Sequence, residues 1–127
     1  GVLSPEMEYL RNNFNKNIHY LGWCYSEQVM NNMLASDIAC FPGTHSTLWE
    51  QAVGVGLPCI LKHWNEMTHM DINGNCLFIK GDDTYELKDT INRMMNKDFY
   101  SQQKEKASNA AQFFLYSDIA KNAIELK

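Results

Sequence analysis

The run Phe41-Pro42-Gly43-Thr44-His45-Ser46-Thr47-Leu48-Trp49-Glu50 sets hydroxyls, an imidazole and a carboxylate within a few residues of each other, just after an apolar stretch. Hydroxyls and backbone N–H groups suit anionic oxygens, a carboxylate accepts hydrogen bonds, and an imidazole can donate or accept. The chemistry on offer is recognition of a hydroxyl-rich ligand that carries phosphate. Gly43, Thr44 and Ser46 let the backbone come close, and a helix starting at Thr47 would aim its free N–H groups and positive dipole end at the anion. His45, just before that helix start, is a secondary candidate contact. The same letters have a plainer reading, since Thr47-Leu48-Trp49-Glu50 also fits a capping box in which Glu50 returns to the Thr47 N–H.

These residues need elements to hold them, and the chain supplies an alternation of helix and strand signals. Pro5 to Phe14 has helical spacing of Met7, Leu10 and Phe14 behind Ser4, a fitting N-cap with proline at the first position. Ile18–Leu21 reads as a short strand, and Ser26 as the cap of a helix with Val29, Met30, Met33 and Leu34 on its apolar face. Ile38–Phe41 is a strand, Thr47–Val55 a helix with Gly54 and Gly56 at its C-terminal stop, and Pro58–Leu61 a strand. A polar connection over 62–74 leads to the strand Cys76–Ile79. Asp83-Thr84-Tyr85-Glu86 has capping-box form before a helix with Leu87, Ile91, Met94 and Met95 on one face, and a helical tail runs from Asp98 with a break and second cap near Ser117-Asp118. The alternation predicts an α/β fold: a mainly parallel sheet with helices on both faces. In such a sheet ligands bind at the carboxyl ends of the strands, so Trp23, the 43–47 loop, Lys62, His63, Asn65 and the 80–83 loop are the expected site wall.

Composition limits the alternatives. The 127 residues are enough for one domain, and 45% hydrophobic with 20% charged residues is an ordinary globular balance. A net charge of −4 gives no general field for nucleic acid, so an anion would have to be held locally. Cys24, Cys40, Cys59 and Cys76 form no C-x-x-C pair and read as reduced core residues of a cytosolic protein. No segment approaches the roughly 20 apolar residues that span a bilayer, and no signal-peptide pattern opens the chain. The four histidines show no metal-ligand spacing, with His63 and His69 reading as loop surface residues, and neither metal nor cofactor is expected.

The segments 18–22, 35–42, 50–60 and 73–79 together resemble the C-terminal, nucleotide-sugar-binding domain of GT-B-fold glycosyltransferases, the group-1 family in particular. The resemblance covers most of the chain and implies a Rossmann-like domain. It implies that Glu50 accepts hydrogen bonds from the ribose of a nucleotide diphosphate sugar such as a UDP-sugar. Gly43, Thr44, His45, Ser46 and Thr47 would face the diphosphate, with Lys62 a further phosphate contact and Trp23 a wall on the base side. The implied reaction transfers the sugar to an acceptor hydroxyl, in polysaccharide or glycoconjugate synthesis, without a catalytic metal. It also implies a missing N-terminal acceptor domain, so this fragment alone is expected to be inactive. The whole enzyme would be cytoplasmic or peripheral at the membrane.

The departures from the pattern are specific. The family's retaining members often carry a second glutamate eight positions before the one matching Glu50, and Pro42 stands there. Retention and inversion of the anomeric centre both stay open. The family's domain opens with a strand before its first helix, whereas this chain begins almost at the helix, which should leave a gap or a rearranged edge in the sheet. Other classes fit less well. A nucleotide-sugar epimerase of the same fold needs carboxylate acid and base groups, for which only Glu66 and Asp71 are offered. A non-catalytic receiver module needs an aspartate at a strand end, but Asp37 precedes its strand. A dinucleotide-binding domain needs G-x-G-x-x-G directly after a strand, and Gly54 and Gly56 follow a helix.

Overall fold

The computed structural model describes residues 4–13 and 15–114, which divide into two compact units, 1–31 and 32–127. In the first, helix α1 (Pro5–Asn12) begins as the sequence predicts: Ser4 Oγ accepts the Met7 N–H at 3.2 Å and Pro5 takes the first turn. Phe14 lies outside the described residues. The expected strand over 18–21 does not form. A strand persists only through ladder partners or a buried face, and this segment has neither, with Ile18, Tyr20 and Leu21 all exposed. No described residue of this unit is buried, as its small size would suggest. Helix α2 (Ser26–Leu34), which crosses into the second unit, starts one residue earlier than a Ser26 cap allows. The Gln28 Oε1 accepts the Tyr25 N–H at 2.8 Å, fixing the entry instead.

The second unit is a parallel three-stranded sheet in the order β1 (Ala39–Phe41), β2 (Cys59–Lys62), β3 (Cys76–Ile79). The ladder pairs Cys40 with Ile60 and Ile60 with Leu77. Every residue of β2 is buried, the pattern of a strand covered on both faces. β1 alternates instead: Ala39 is buried, while Cys40 is exposed. Of the four cysteines, then, only Cys59 and Cys76 are core residues. The neighbouring Cys59 and burial push the Cys76 thiol far up, so it stays a neutral packing group.

Helix α3 (Thr47–Gly54) crosses between β1 and β2, and α4 (Thr84–Met94) and α5 (Lys97–Ala111) follow β3. α3 packs on β2, α4 on β3, and both on α5. Ile60, Ile79 and Met94 form a core cluster joined by Ile38, Leu77, Leu87, Phe99 and Tyr100. Three polar side chains of α5 reach the turns that enter the three strands. The Tyr100 hydroxyl donates to Asp37 C=O at 3.0 Å, Lys104 Nζ to Gly56 C=O at 2.7 Å, and Gln103 Nε2 to Gly74 C=O at 3.0 Å. α5 thereby ties down the amino ends of the strands, and the segments at their carboxyl ends are left to build a site. The expected break and cap near Ser117-Asp118 lie outside the described residues.

α3 ends in a Schellman motif: Leu57 N–H bonds Ala52 C=O, Gly56 N–H bonds Val53 C=O, and Gly56 has φ +82°. A Cβ on Gly56 would meet nothing closer than 4.0 Å, so its requirement is conformational. Gly54 is held by space, since a Cβ there would stand 2.2 Å from the Phe114 carbonyl oxygen. The substitution Gly56→Ala is expected to lower stability by about 1–2 kcal/mol, the cost of a left-handed non-glycine residue. A shift of the urea midpoint with an unchanged slope would check this, and an unshifted midpoint would contradict it.

Candidate functional site

Loop 42–46, between β1 and α3, delivers the first part of the site. Ser46 is the N-cap of α3, its Oγ accepting the Leu48 N–H at 3.3 Å. Trp49 is wholly buried and anchors the first turn, and the His45 ring stands edge-on to it at 5.1 Å between centroids. Glu50 follows on the same turn. It does not close a capping box: its Oε1 meets His45 Nε2 at 2.7 Å and His69 Nε2 at 3.0 Å.

His69 arrives from loop 63–75, whose course is set by two buried or half-buried polar side chains. Asn75, wholly buried, donates to Met70 C=O at 3.1 Å and accepts the Ile72 N–H at 2.8 Å. Asp71 Oδ1 accepts the N–H groups of Gly74 and Cys76 at 3.0 and 3.2 Å. With Met70 buried between them, the neighbouring His69 is presented outward at Glu50. Trp64, at the other end of the loop, donates its indole N–H to Gly43 C=O at 3.2 Å, joining the loops that follow β1 and β2.

Between these loops lies an open cleft of about 520 Å³ lined by Thr44, His45, Trp64, Asn65, Glu66 and Met67. The site at its edge is electrostatically asymmetric. Burial opposes ionisation of Glu50, but the hydrogen bonds from His45 and His69 outweigh it and hold the carboxyl below its ordinary value. Glu50 Oε2 is shut off from solvent and has no hydrogen-bond partner among the described residues. A Cβ added to Gly43 would meet nothing within 4 Å, so the protein itself does not require glycine there.

The structure thus brings together His45, Ser46, Thr47 and Glu50 on one turn, with Gly43 and Thr44 on the loop that leads into it. Lys62 is drawn elsewhere. Its Nζ donates to Gly81 C=O and to Asp82 Oδ1, both at 2.7 Å, and the side chain is nearly buried. That bond from the ammonium holds the Asp82 carboxyl below its usual value, and the lysine serves as a tie between β2 and loop 80–83. Glu86 braces the same loop, taking the N–H groups of Lys80 and Gly81 at 2.7 and 2.9 Å, while Asp83 rather than a reciprocal box caps α4. Trp23 belongs to the other unit, where it is exposed. His69 and Trp64 are the residues that sequence reasoning left out of the site. Linear spacing holds no signal for His69, because β2 and most of a loop separate it from Glu50. The one available signal was the rule that loops following adjacent parallel strands lie side by side.

No family model, no curated protein and no solved structure matches this chain.

Two outcomes test the construction of the site. Asn75→Ala would leave the Ile72 N–H without its acceptor and the Met70 carbonyl with only the weak bond from the Cys76 thiol, and is expected to cost about 1–3 kcal/mol, read as a lowered urea midpoint. An unchanged midpoint would show that loop 63–75 is held otherwise. Because Glu50 has a lowered folded-state value, its contribution is present above the unfolded value of about 4.3 and disappears as pH falls through the folded one. Stability should therefore fall less between pH 7 and acid in Glu50→Gln than in wild type, and parallel curves would contradict this.

Proposed function

We propose that the second unit binds the nucleotide diphosphate sugar donor of a glycosyltransferase of GT-B type, and that the whole enzyme transfers the sugar to an acceptor hydroxyl. The observation that carries this reading is the placement of Glu50. An ionised carboxylate stands at the carboxyl edge of a parallel sheet, on the first turn of a helix, beside an open cleft. That edge is where open parallel sheets bind ligands. A carboxylate there suits the paired hydroxyls of a ribose, which are donors that no neutral acceptor binds as strongly. The start of α3, with Ser46 and Thr47, suits the diphosphate and the charge that develops on it as the sugar leaves.

The clamp on Oε1 refines the expectation. His45 and His69 both occupy that oxygen, and Oε2 is closed to solvent, so an incoming ribose must displace one imidazole. His69 is the one to yield, with the longer bond and about half of its side chain exposed. His45 would then stay on Glu50 and orient it. Lys62 is committed to loop 80–83 and plays no part in this reading. The acceptor and the remaining catalytic groups are assigned to a second domain, and polysaccharide or glycoconjugate synthesis to the cytoplasmic enzyme that contains both.

Calorimetric titration with UDP, GDP and their sugar conjugates tests the assignment. One of these should bind with a stoichiometry of one, and Glu50→Gln should weaken it by roughly tenfold to a hundredfold, the worth of hydrogen bonds to a charged acceptor. Equal affinity for wild type and variant would remove Glu50 from the ribose contact.

A further inference from the structure

We propose that His45, Glu50 and His69 form a binding site for a divalent transition-metal ion, Zn²⁺ first among them. The two imidazole Nε2 atoms converge on one carboxylate oxygen at 2.7 and 3.0 Å, and the three ligand atoms all lie within 4.8 Å of one another. Two imidazoles and a carboxylate are the donor set of three-ligand zinc sites that keep a fourth position open. With metal–ligand bonds of about 2.1 Å and tetrahedral angles, neighbouring ligand atoms stand roughly 3.4 Å apart. Relative to Oε1 each imidazole would withdraw by about half an ångström, while the two nitrogens, which lie within 4.8 Å of each other, would settle at the same spacing.

The donors sit on supports that would hold them there. Glu50 is on a helix, His45 is braced edge-on against buried Trp49, and His69 follows a loop fixed by Asn75 and Asp71. Access is available, since His69 is about half exposed and His45 lines the cleft. The apo arrangement also has an unmet demand. Glu50 Oε2 is buried without a hydrogen-bond partner among the described residues, so the carboxylate charge is compensated on one oxygen alone. A dication at Oε1 would offset that charge directly.

Metal binding requires both Nε2 atoms to give up the protons they now donate to Oε1, either to solvent or by passing to the Nδ1 tautomer. A hard cation such as Mg²⁺, which prefers oxygen ligands and keeps its water, should bind far more weakly than Zn²⁺. The ion and a ribose would compete for Glu50 Oε1, so the inference stands apart from nucleotide binding, and its test contains no nucleotide.

The experiment is titration of the full chain, stripped of metal with chelator and dialysed, with Zn²⁺ by calorimetry and with Co²⁺ by visible absorption. One ion per chain is expected, with the intense visible bands of a Co²⁺ ion of low coordination number, and His45→Ala and His69→Ala should each weaken binding at least about tenfold. Far-ultraviolet circular dichroism establishes that each variant is folded. Nitrogen-15 shifts of the histidine side chains in wild type give a readout that needs no variant: Nε2 of His45 and His69 should move on adding Zn²⁺, and those of His19 and His63 should not. Absence of saturable binding to folded wild type would overturn the proposal. So would binding that leaves the His45 and His69 resonances in place, or thiolate-to-cobalt charge-transfer bands that put the ion on cysteine.

Discussion

Strand β2 is the constraint on which everything else in the second unit rests. It is four residues long, buried throughout, and hydrogen-bonded on both edges, so its neighbours cannot slip without exposing Ile60 and Leu61 or breaking both ladders. Fixing its register fixes where β1 and β3 end, and so where the loops after them begin. α5 then secures the opposite end through Tyr100, Lys104 and Gln103, each bonded to a turn that enters a different strand. Order at the amino ends is thus supplied by a helix, while the carboxyl ends carry the polar loops.

The site follows from this division. Loops 42–46 and 63–75 leave adjacent strands and are bridged by the Trp64–Gly43 bond, which brings His69 within reach of a glutamate fixed on a helix. The same arrangement explains why Lys62 has an internal role. At the end of a buried strand its ammonium needs compensation, and the nearest acceptors are Gly81 C=O and Asp82. A lysine at a strand end in a parallel sheet invites a reading as a phosphate ligand, and burial redirects it.

Much of the second unit was legible in the sequence. The three strands of the sheet, the helix at Thr47, its glycine stop and the parallel arrangement all follow from periodicity, caps and short connections, because local and tertiary preferences agree there. The failures share a cause in non-local structure. Ile18–Leu21 has strand composition, but a strand is completed by a partner, which composition cannot supply. Cys40 lies in an apolar run yet is exposed, because β1 is an edge whose alternate side chains are not all covered. The capping-box form at Thr47 and at Asp83 was present in letters only. In both cases the glutamate found stronger partners elsewhere, Glu50 in two imidazoles and Glu86 in the N–H groups of Lys80 and Gly81. His69 could not be found by spacing at all, since its position depends on Asn75 and Asp71 folding a loop whose sequence shows no periodic pattern.

The central claim is that ligand recognition is concentrated at Glu50 and the two loops that enclose it. Amide chemical-shift mapping of the isotope-labelled chain against UDP-sugars and GDP-sugars tests it most directly. The account predicts saturable shifts in residues 43–50 and 64–69 that fade in Glu50→Ala. A folded chain whose shifts are absent, or cluster away from both loops, would contradict it.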